Sequence, residues 1–355
     1  MTNYRLVAGT LLAATALTVA TPAAAQRIDR IVVFGDSFAD DNNATSLILA
    51  NPGTPAATRA QIQQLYPTGR FSGGTNYIDT LAQLLNAPVE NFAIGGARTD
   101  NGNQTPGLPG FTFEVNTFLA GGAPAPFQTV TPNFGNGDLI AVSIGGNDAR
   151  DYAGTLANAP AAAALAAASA TTNLNRLVSV GAPTISFLAG NTARLPEIAA
   201  DPNAQALRNS FSTSFNSAIQ GTLAGYAANG VIVHYTDLTL IGDAITANPA
   251  AYGLTSAGAC NLGAGCITNP AAANQFLFYV DALHLTSAGF AIVARYIQAQ
   301  LSAPLQLQAA SDVGLDTARQ FGRTLSTRMD LGSPRDGDMP EGLGPRHVDC
   351  RADHP

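Results

Sequence analysis

The amino-acid sequence predicts an α/β fold, a three-layer α/β/α sandwich built on a mainly parallel sheet. Short apolar runs of strand length alternate with helix-like runs along most of the 355 residues. This alternation implies parallel strands joined by crossover helices. A second observation is the apolar stretch inside DLIAVSIGGND at 138–148, which is typical of a strand buried on both faces. The predicted domain covers residues 26–302.

The individual elements follow from local patterns, taken in chain order. Strands are predicted for apolar, β-branched runs that end in glycine or polar residues; these are RIVVFGDS (30–37), PVENFAIGG (88–96), the run at 138–148, PTISFLAG (183–190) and VIVHYTDL (231–238). Helices are predicted at 77–86, 161–181, 203–230 and 286–301. The segments between them that are rich in Gly, Pro, Asn and Thr are predicted to be loops that shape a cleft at the carboxyl ends of the strands; they are 42–76, 98–137 and 242–275.

Both termini differ from the predicted domain. Residues 1–25 resemble a secretory signal peptide, with Arg5, an apolar stretch and three alanines before Gln26. A membrane anchor is the alternative, but the stretch is short and rich in alanine, and no other run could span a bilayer. We therefore expect an exported chain, periplasmic or extracellular, with association to the cell surface left open. Residues 303–355 are predicted to form an amphipathic helix, at 305–329, and a disordered tail.

Composition limits the partners. The net charge is −7, and all 17 basic residues are arginines. Because a phosphate-binding face needs clustered basic residues, nucleic acid is not expected as a partner. Cys260 and Cys266 lie in the glycine-rich GACNLGAGCIT and are expected to form a disulfide after export. A metal pair is the alternative, but no histidine or further cysteine lies nearby, and Cys350 in the tail is left unassigned.

Four stretches at predicted strand ends each supply a different chemical group. They are GDS, NFAIGGA, SIGGND and DALH. A nucleophile, backbone and side-chain donors, and a base next to a carboxylate are what acyl transfer requires. The groups are the hydroxyl of Ser37, the backbone N–H groups of Gly95 and Gly96, the amide of Asn147, and the pair Asp281 and His284.

These four blocks resemble the conserved blocks of the SGNH, or GDSL, hydrolase family, in the same order and over roughly residues 28–300. The further stretches TGRFSGGTNYIDTLA, ANPAAYGLTSAGAC and HLTSAGFAIVARYI resemble the branch of secreted lipases, cholinesterase-like enzymes and esterase passengers of autotransporters. The resemblance implies a flavodoxin-like sandwich. Two departures follow the serine: Phe38 replaces the usual leucine, and FADDNN replaces small-Asp-Thr-Gly-Asn, so the loop geometry is expected to differ.

The resemblance also implies roles. Ser37 would be the nucleophile, His284 the base and Asp281 the carboxylate that orients the imidazole. The oxyanion would be bound by the backbone N–H groups of Ser37 and Gly96 and by the side chain of Asn147. Gly96 is preferred to Gly95 because the family's donor glycine falls five residues after the asparagine of its block. The cycle passes through an acyl-enzyme and needs no metal or cofactor.

Two other interpretations of the residues near Ser37 remain open, a different nucleophile and a cation site. AVSIG at 141–145 nearly matches the Gly-x-Ser-x-Gly elbow, which would make Ser143 the nucleophile. The acidic residues Asp36, Asp40 and Asp41 suggest a cation, but their spacing fits no calcium loop. Hydrogen bonds that brace the serine turn are the favoured interpretation.

The function expected is secreted hydrolysis of short- to medium-chain carboxylic esters, with a small-molecule or lipid ester as substrate. The oligomeric state is not predicted. Alternatives are a lipase or phospholipase, a carbohydrate O-deacetylase of the same family, or a non-catalytic secreted binding passenger. The absence of a basic cluster argues against a phospholipid headgroup. Phe111 and Phe113, in GLPGFTFEVNTFLAGGAPAPF, are either an apolar wall for the acyl chain or part of the core.

Overall fold

The computed structural model describes residues 27–332 and has a five-stranded parallel sheet at its centre. Its strands are β1 (Arg30–Gly35), β2 (Val89–Asn91), β3 (Asp138–Ser143), β4 (Thr184–Ala189) and β5 (Ile232–Asp237). They pair in the spatial order β2-β1-β3-β4-β5, which confirms the predicted sandwich. The predicted signal peptide at 1–25, Cys350 and the tail from residue 333 lie outside the described residues.

Helices cover both faces of this sheet. In chain order they are α1 (Asn43–Ala50), α2 (Ala56–Leu65), α3 (Tyr77–Leu85), α4 (Phe111–Leu119), α5 (Gly146–Asp151), α6 (Ala159–Ser179), α7 (Pro202–Ala228), α8 (Leu238–Ala247), α9 (Ala264–Thr268), α10 (Pro270–Ala273) and α11 (Ser287–Gly332). On one face, apolar side chains of α4, α6 and α7 pack with Phe34 and Val142. On the other, α3, α8 and the first part of α11 pack with Val33 and Ala141. Successive residues of a strand point to opposite faces, so β1 and β3 contribute to both cores.

The chain reverses direction across the sheet between β1 and β3. It proceeds from β1 to β2 on one side and then returns to place β3 on the other. In an open parallel sheet, a crevice forms outside the strand ends at such a switch point. All six residues of β3 are buried, as predicted, and Gly35 at the end of β1 lies opposite Ser143. The GDS and SIGGND blocks therefore leave the sheet side by side.

All three predicted loops contain helices, and those within 242–275 are α9 and α10. In 42–76, helix α1 begins where the carboxylate of Asp40 accepts hydrogen bonds from the N–H groups of Asn43 and Ala44, at 2.6 and 3.0 Å. In 98–137, α4 buries Phe111, Val115 and Phe118, whose spacing places them on one helical face. The Gly, Pro and Asn residues around these short helices obscured the pattern.

The last helix is longer than predicted. The segments 286–301 and 305–329 belong to one helix, Ser287–Gly332. Ala, Gln and Leu, which favour helix, dominate residues 297–310, with one proline. The compact body ends at Ser302, and residues 303–332 belong to a second unit. Among the described residues, no helix combines the length and the apolar character needed to cross a membrane.

A small second sheet precedes α11. Strands β6 (Ser256–Ala259) and β7 (Phe276–Phe278) pair in parallel. The loop between them carries the predicted disulfide, which joins Cys260 to Cys266. The N–H of Cys260 donates to the carbonyl of Phe278 at 2.9 Å. The disulfide loop is thereby attached to the strand that leads into the DALH block.

Candidate active site

Ser37 is presented by a sharp turn at the end of β1. Gly35 has φ +126°, and a Cβ at this position would lie 2.0 Å from the carbonyl oxygen of Ser143. Only glycine fits there. The next N–H, that of Asp36, donates to the same carbonyl at 2.8 Å. The chain therefore turns away from the sheet over two residues, and Ser37 follows directly, 8% exposed.

The structure brings together the three side chains predicted as a triad. Ser37 Oγ lies 2.7 Å from His284 Nε2, and His284 Nδ1 lies 2.6 Å from Asp281 Oδ2. His284 is buried, and its ring contacts the rings of Phe38 and Phe71. A hydroxyl, an imidazole and a carboxylate in a continuous hydrogen-bonded chain are the arrangement that activates a serine.

The carboxylate of Asp281 is held by donors on both oxygens. Oδ1 accepts the backbone N–H groups of Leu283 and His284 at 3.0 and 2.9 Å. Oδ2 accepts the hydroxyl of Tyr66 at 2.9 Å, besides facing the imidazole. Burial alone raises the pKa of Asp281, but the adjacent His284 and these N–H donors outweigh burial and lower it below its usual value. Asp281 is therefore a fixed negative charge beside the histidine.

The proposed oxyanion donors face the same space as the triad. Ser37, Gly96, Asn147 and His284 line one cavity. The N–H of Gly95 donates to Asp40 at 2.6 Å, which leaves Gly96 as the available glycine of the pair. Asn147 is the second residue of the short helix α5, which begins three residues after the end of β3. Its Nδ2 donates to the carbonyl of Ala97 at 2.9 Å, which directs the N–H₂ end of the amide toward this loop.

An arginine that sequence reasoning missed holds the other end of that amide. Arg150 donates to Asn147 Oδ1 at 3.3 Å. It also makes a two-pronged ion pair with Glu197, at 2.9 and 3.1 Å. The N–H of Glu197 donates to the carbonyl of Ala282, at 3.0 Å, within the DALH block. This network links the amide donor to the loop that carries the histidine.

Glu114 on α4 is a second residue that the sequence analysis did not single out. It is fully buried, and its two oxygens accept the N–H groups of Gly35 at 2.6 Å and Ile94 at 3.3 Å. Burial raises its pKa well above the usual value, and these N–H donors offset that only in part. A single acid among the apolar residues of FTFEVNTFL was the signal available in the sequence. Through these two hydrogen bonds, Glu114 connects the segment that leads to Ser37 with the segment that leads to Gly96.

Of Asp36, Asp40 and Asp41, which were all expected to brace the serine turn, Asp36 and Asp40 accept hydrogen bonds around it. Asp40 accepts four backbone N–H groups, including that of Gly95. Asp36 accepts the N–H of Phe38 and the hydroxyl of Ser143, both at 3.1 Å. Burial raises the pKa of Asp36 to about 6, although these two hydrogen bonds lower it in part.

Two alternative assignments are not supported by the geometry. Ser143 lies within β3, and its hydroxyl donates to Asp36, whereas the imidazole of His284 is bonded to Ser37. For Phe111 and Phe113, the contacts favour the core alternative over a substrate wall. Phe111 is fully buried against Phe34 in the core, and Phe113 packs on that core from its edge. Helix α4 turns these rings inward, as the core alternative allowed.

The segment FADDNN, at 38–43, contains one residue with an unusual backbone conformation. Asn42 has φ +126°, a region that favours glycine, and it occupies the glycine position of the family's small-Asp-Thr-Gly-Asn. Its side chain lies directly against Gly69, where an added Cβ would come within 2.1 Å of Asn42 Oδ1. Asn42 is therefore a position of backbone strain in this loop.

Comparisons with known proteins find a curated sequence relative and solved structures that are similar to this chain. An uncharacterised protein from the trpE-trpG intergenic region of Pseudomonas putida is 27% identical over 306 residues, which cover 78% of this chain and 49% of that protein. The chain thus spans about half the length of this curated relative. An aryl esterase of M. smegmatis is 16% identical, covering 78% of this chain and 99% of that one, with a TM-score of 0.41. An extracellular lipase of Streptomyces rimosus is 18% identical, covering 76% of this chain and 99% of that one, with a TM-score of 0.35.

A family model extends the similarity over most of the compact body. The model of the GDSL-like lipase/acylhydrolase family matches residues 31–297. This range begins in β1, just before the serine turn, and ends after the DALH block, so it includes every residue of the site described above. The chain belongs to the GDSL-like lipase/acylhydrolase family.

Proposed function

We propose that this protein hydrolyses carboxylic esters, with Ser37 as the nucleophile and His284 and Asp281 as the base and its orienting carboxylate. The observation that carries the proposal is the hydrogen-bonded chain from Ser37 Oγ through the imidazole to Asp281, with 2.7 and 2.6 Å between successive atoms. Membership of a lipase/acylhydrolase family supports the same reaction class.

The reaction has two steps. His284 Nε2 accepts the proton of Ser37 as Oγ attacks the ester carbonyl carbon. The carbonyl oxygen gains negative charge and is bound by the N–H groups of Ser37 and Gly96 and by Asn147 Nδ2. The C–O bond to the alcohol then breaks, and His284 returns the proton to the alcohol oxygen. Water attacks the acyl-enzyme in the same way, and the carboxylic acid leaves as Ser37 regains its proton.

The test is hydrolysis of p-nitrophenyl butyrate by the wild type and two serine variants. Ser37→Ala should lower kcat by a factor of about 10⁴ or more, because the nucleophile is lost. Ser143→Ala is the matched control, because Ser143 is a buried serine like Ser37 but its hydroxyl bonds Asp36 and not His284. It should stay within a few-fold of wild type. Full activity of a folded Ser37→Ala variant, or collapse of Ser143→Ala alone, would contradict the proposal. Circular dichroism verifies that each variant is folded.

We further propose that the chain is exported before it acts. The signal-peptide pattern of residues 1–25 supports export, and the Cys260–Cys266 disulfide is the kind of bond that persists in oxidising compartments. Fractionation of the native host, with mass spectrometry of the mature N-terminus, tests this. Cleavage near residue 25 outside the cytoplasm is expected. An uncleaved cytoplasmic chain would refute it.

A further inference from the structure

Ser37 lies where two cavities meet. The inner cavity, of about 240 Å³, lies between the ends of β3 and β4 and helices α7, α8 and α11. The outer cavity, of about 340 Å³, lies beside α1 and α2, and residues from both helices line it. Ser37 and Asn147 line both cavities. An ester bound at Ser37 can therefore place its acyl group in one cavity and its alcohol in the other.

The position of His284 decides which group enters which cavity. The imidazole must come within hydrogen-bond reach of the alcohol oxygen, because it protonates the leaving group. His284 lines the outer cavity, together with Gly96, whereas neither residue is among those that line the inner one. The leaving alcohol therefore extends into the outer cavity. The acyl chain, on the other side of the carbonyl carbon, is directed into the inner cavity.

The lining of the inner cavity suits a hydrocarbon chain. Its deep wall consists of aliphatic side chains from both sides of the site: Ile144, Leu188, Ile241, Ile245, Leu277 and Val293. All six are at least nine-tenths buried, and five of them belong to the core on the α3, α8 and α11 face. Four charged residues also line the cavity: Arg194 and Asp243 are exposed and paired with each other, Arg150 is paired with Glu197, and Asp36 is bonded to Phe38 and Ser143. An alkyl chain gains from burial against such a wall.

We propose, on the basis of the proposed ester hydrolysis, that the inner cavity binds the acyl chain and that the substrates are esters of medium-chain aliphatic acids. At roughly 30 Å³ for a water-sized group, 240 Å³ holds on the order of eight such groups. This is the size of a hexanoyl or octanoyl chain. Acetyl leaves most of the wall unused, and chains much longer than octanoyl exceed the cavity.

Gly242 offers a way to test this assignment. It lies on α8 and lines the inner cavity, and a Cβ added to it meets no atom within 4 Å. A side chain at position 242 therefore starts in open space at the cavity wall, and Gly242→Leu should narrow the cavity. Gly221 on α7 is the matched control: a Cβ there also meets nothing within 4 Å, but the residue is exposed and is not among those that line the cavity. Both changes replace a helical glycine, so both favour helix formation equally.

The experiment measures kcat/KM for p-nitrophenyl acetate, butyrate, octanoate and laurate. The wild type should prefer octanoate. Gly242→Leu should lower kcat/KM for octanoate about tenfold or more, while acetate changes less than threefold and Gly221→Leu keeps the wild-type profile. An equal loss on all four esters, or an unchanged profile, would overturn the assignment. Gly242→Ala, a smaller change, should shift the profile in the same direction if the leucine variant does not fold.

A second variant probes the outer cavity. Ile62 on α2 lines it and is half-buried. Ile62→Trp should alter the ratio between p-nitrophenyl octanoate and ethyl octanoate but leave the acyl-chain profile unchanged. If Ile62→Trp changes the acyl profile and Gly242→Leu changes only the alcohol ratio, the two cavities have the opposite roles. Failure of the underlying function looks different: no ester of any length would then show hydrolysis that depends on Ser37.

Discussion

Arg150 donates a hydrogen bond to the side-chain oxygen of Asn147, at 3.3 Å. The two ends of an amide have the same shape but opposite polarity, and a flipped amide would direct an oxygen at the oxyanion. Arg150 favours one orientation from the oxygen end, and the carbonyl of Ala97 favours the same orientation from the nitrogen end. Arg150 therefore acts as a positioning residue for the proposed oxyanion donor.

Replacing Arg150 with lysine should lower kcat about tenfold and leave KM nearly unchanged, since the oxyanion exists only in the transition state. Steady-state kinetics with p-nitrophenyl butyrate gives both constants. Arg208→Lys is the matched control, because Arg208 also pairs with Glu197. In an Asn147→Ala background, Arg150→Lys should have little further effect. Equal losses from the two arginine variants would assign Arg150 to stability alone.

Glu114 should be needed for both stability and rate. Glu114→Gln replaces one acceptor oxygen with an N–H₂ group that faces the N–H of Gly35 or Ile94, which should lower the free energy of unfolding by about 1–3 kcal/mol. Because these residues lead to Ser37 and Gly96, kcat should fall while KM changes little. Urea unfolding and kinetics measure the two effects. Glu90→Gln, which alters a partly exposed pair with Arg30, should change neither strongly. A Glu114→Gln variant as stable as wild type would contradict this.

Stability should rise as the pH falls from about 7 toward 5. Burial raises the pKa of Asp36, Asp41 and Asp148 to about 6, from an unfolded value of 3.8. Between these values the folded state binds protons that the unfolded state has lost, so acidification stabilises the folded state. Burial lowers the pKa of His234, which opposes this trend in part in the same range, and the lowered pKa of Asp281 reverses it at lower pH.

The midpoint of thermal unfolding at several pH values measures this dependence. Asp148→Asn should flatten it, since Asp148 is one of the three acids with a raised pKa and is bonded to Thr99. Glu90→Gln is the control and should keep the wild-type slope, because Glu90 is only partly buried and paired with Arg30. A wild-type midpoint that decreases steadily from pH 7 to pH 5 would refute the prediction.

The strain at Asn42 predicts a stabilising substitution. Asn42→Gly should raise the free energy of unfolding by about 1 kcal/mol, since relief of a strained φ outweighs the extra freedom of glycine in the unfolded chain. Chemical denaturation measures the change. Asn86→Gly is the control, because Asn86 has φ +50° at the end of α3, an ordinary left-handed conformation for asparagine. It should have a smaller effect. Destabilisation by Asn42→Gly would show that the contact with Gly69 matters more.

The disulfide should stabilise the fold without taking part in the reaction. Replacing both Cys260 and Cys266 with alanine should lower the free energy of unfolding by about 2 kcal/mol, the chain-entropy value for so short a loop. Neither cysteine is among the residues that line the two cavities, so kcat at 25 °C should be unchanged. A large loss of kcat in a folded variant would show that the loop shapes the DALH block.

The parts of the fold predicted from the sequence are those with strong local patterns. The apolar runs of β1 and β3, together with the four sequence blocks, were sufficient to predict that Ser37, Asn147 and His284 lie close together. Helix α4 was missed because glycines and prolines surround its short apolar face. For the same reason the sequence left Phe111 open between a substrate wall and the core, since only its depth in the fold distinguishes the two environments.

Contacts between distant parts of the chain could not be predicted. Tyr66 bonds Asp281 across 215 residues, and nothing local to either residue indicates the other. Nothing in GGNDARD indicates a role for Arg150 either, since its partner Glu197 lies on a different loop. Such partners are determined by how loops pack at the switch point, and this packing depends on the whole fold.

The distance along the chain between Ser37 and His284 also has a consequence for synthesis. The two residues are 247 positions apart, so the proposed nucleophile is synthesised well before its proposed base. A growing chain therefore carries Ser37 through the synthesis of the intervening residues without the imidazole that would activate it. Contacts between residues so far apart in sequence carry a loop-closure entropy cost, which slows their formation. Ester hydrolysis should consequently appear only once β1 and the DALH loop have met, which makes activity a direct report of completed folding.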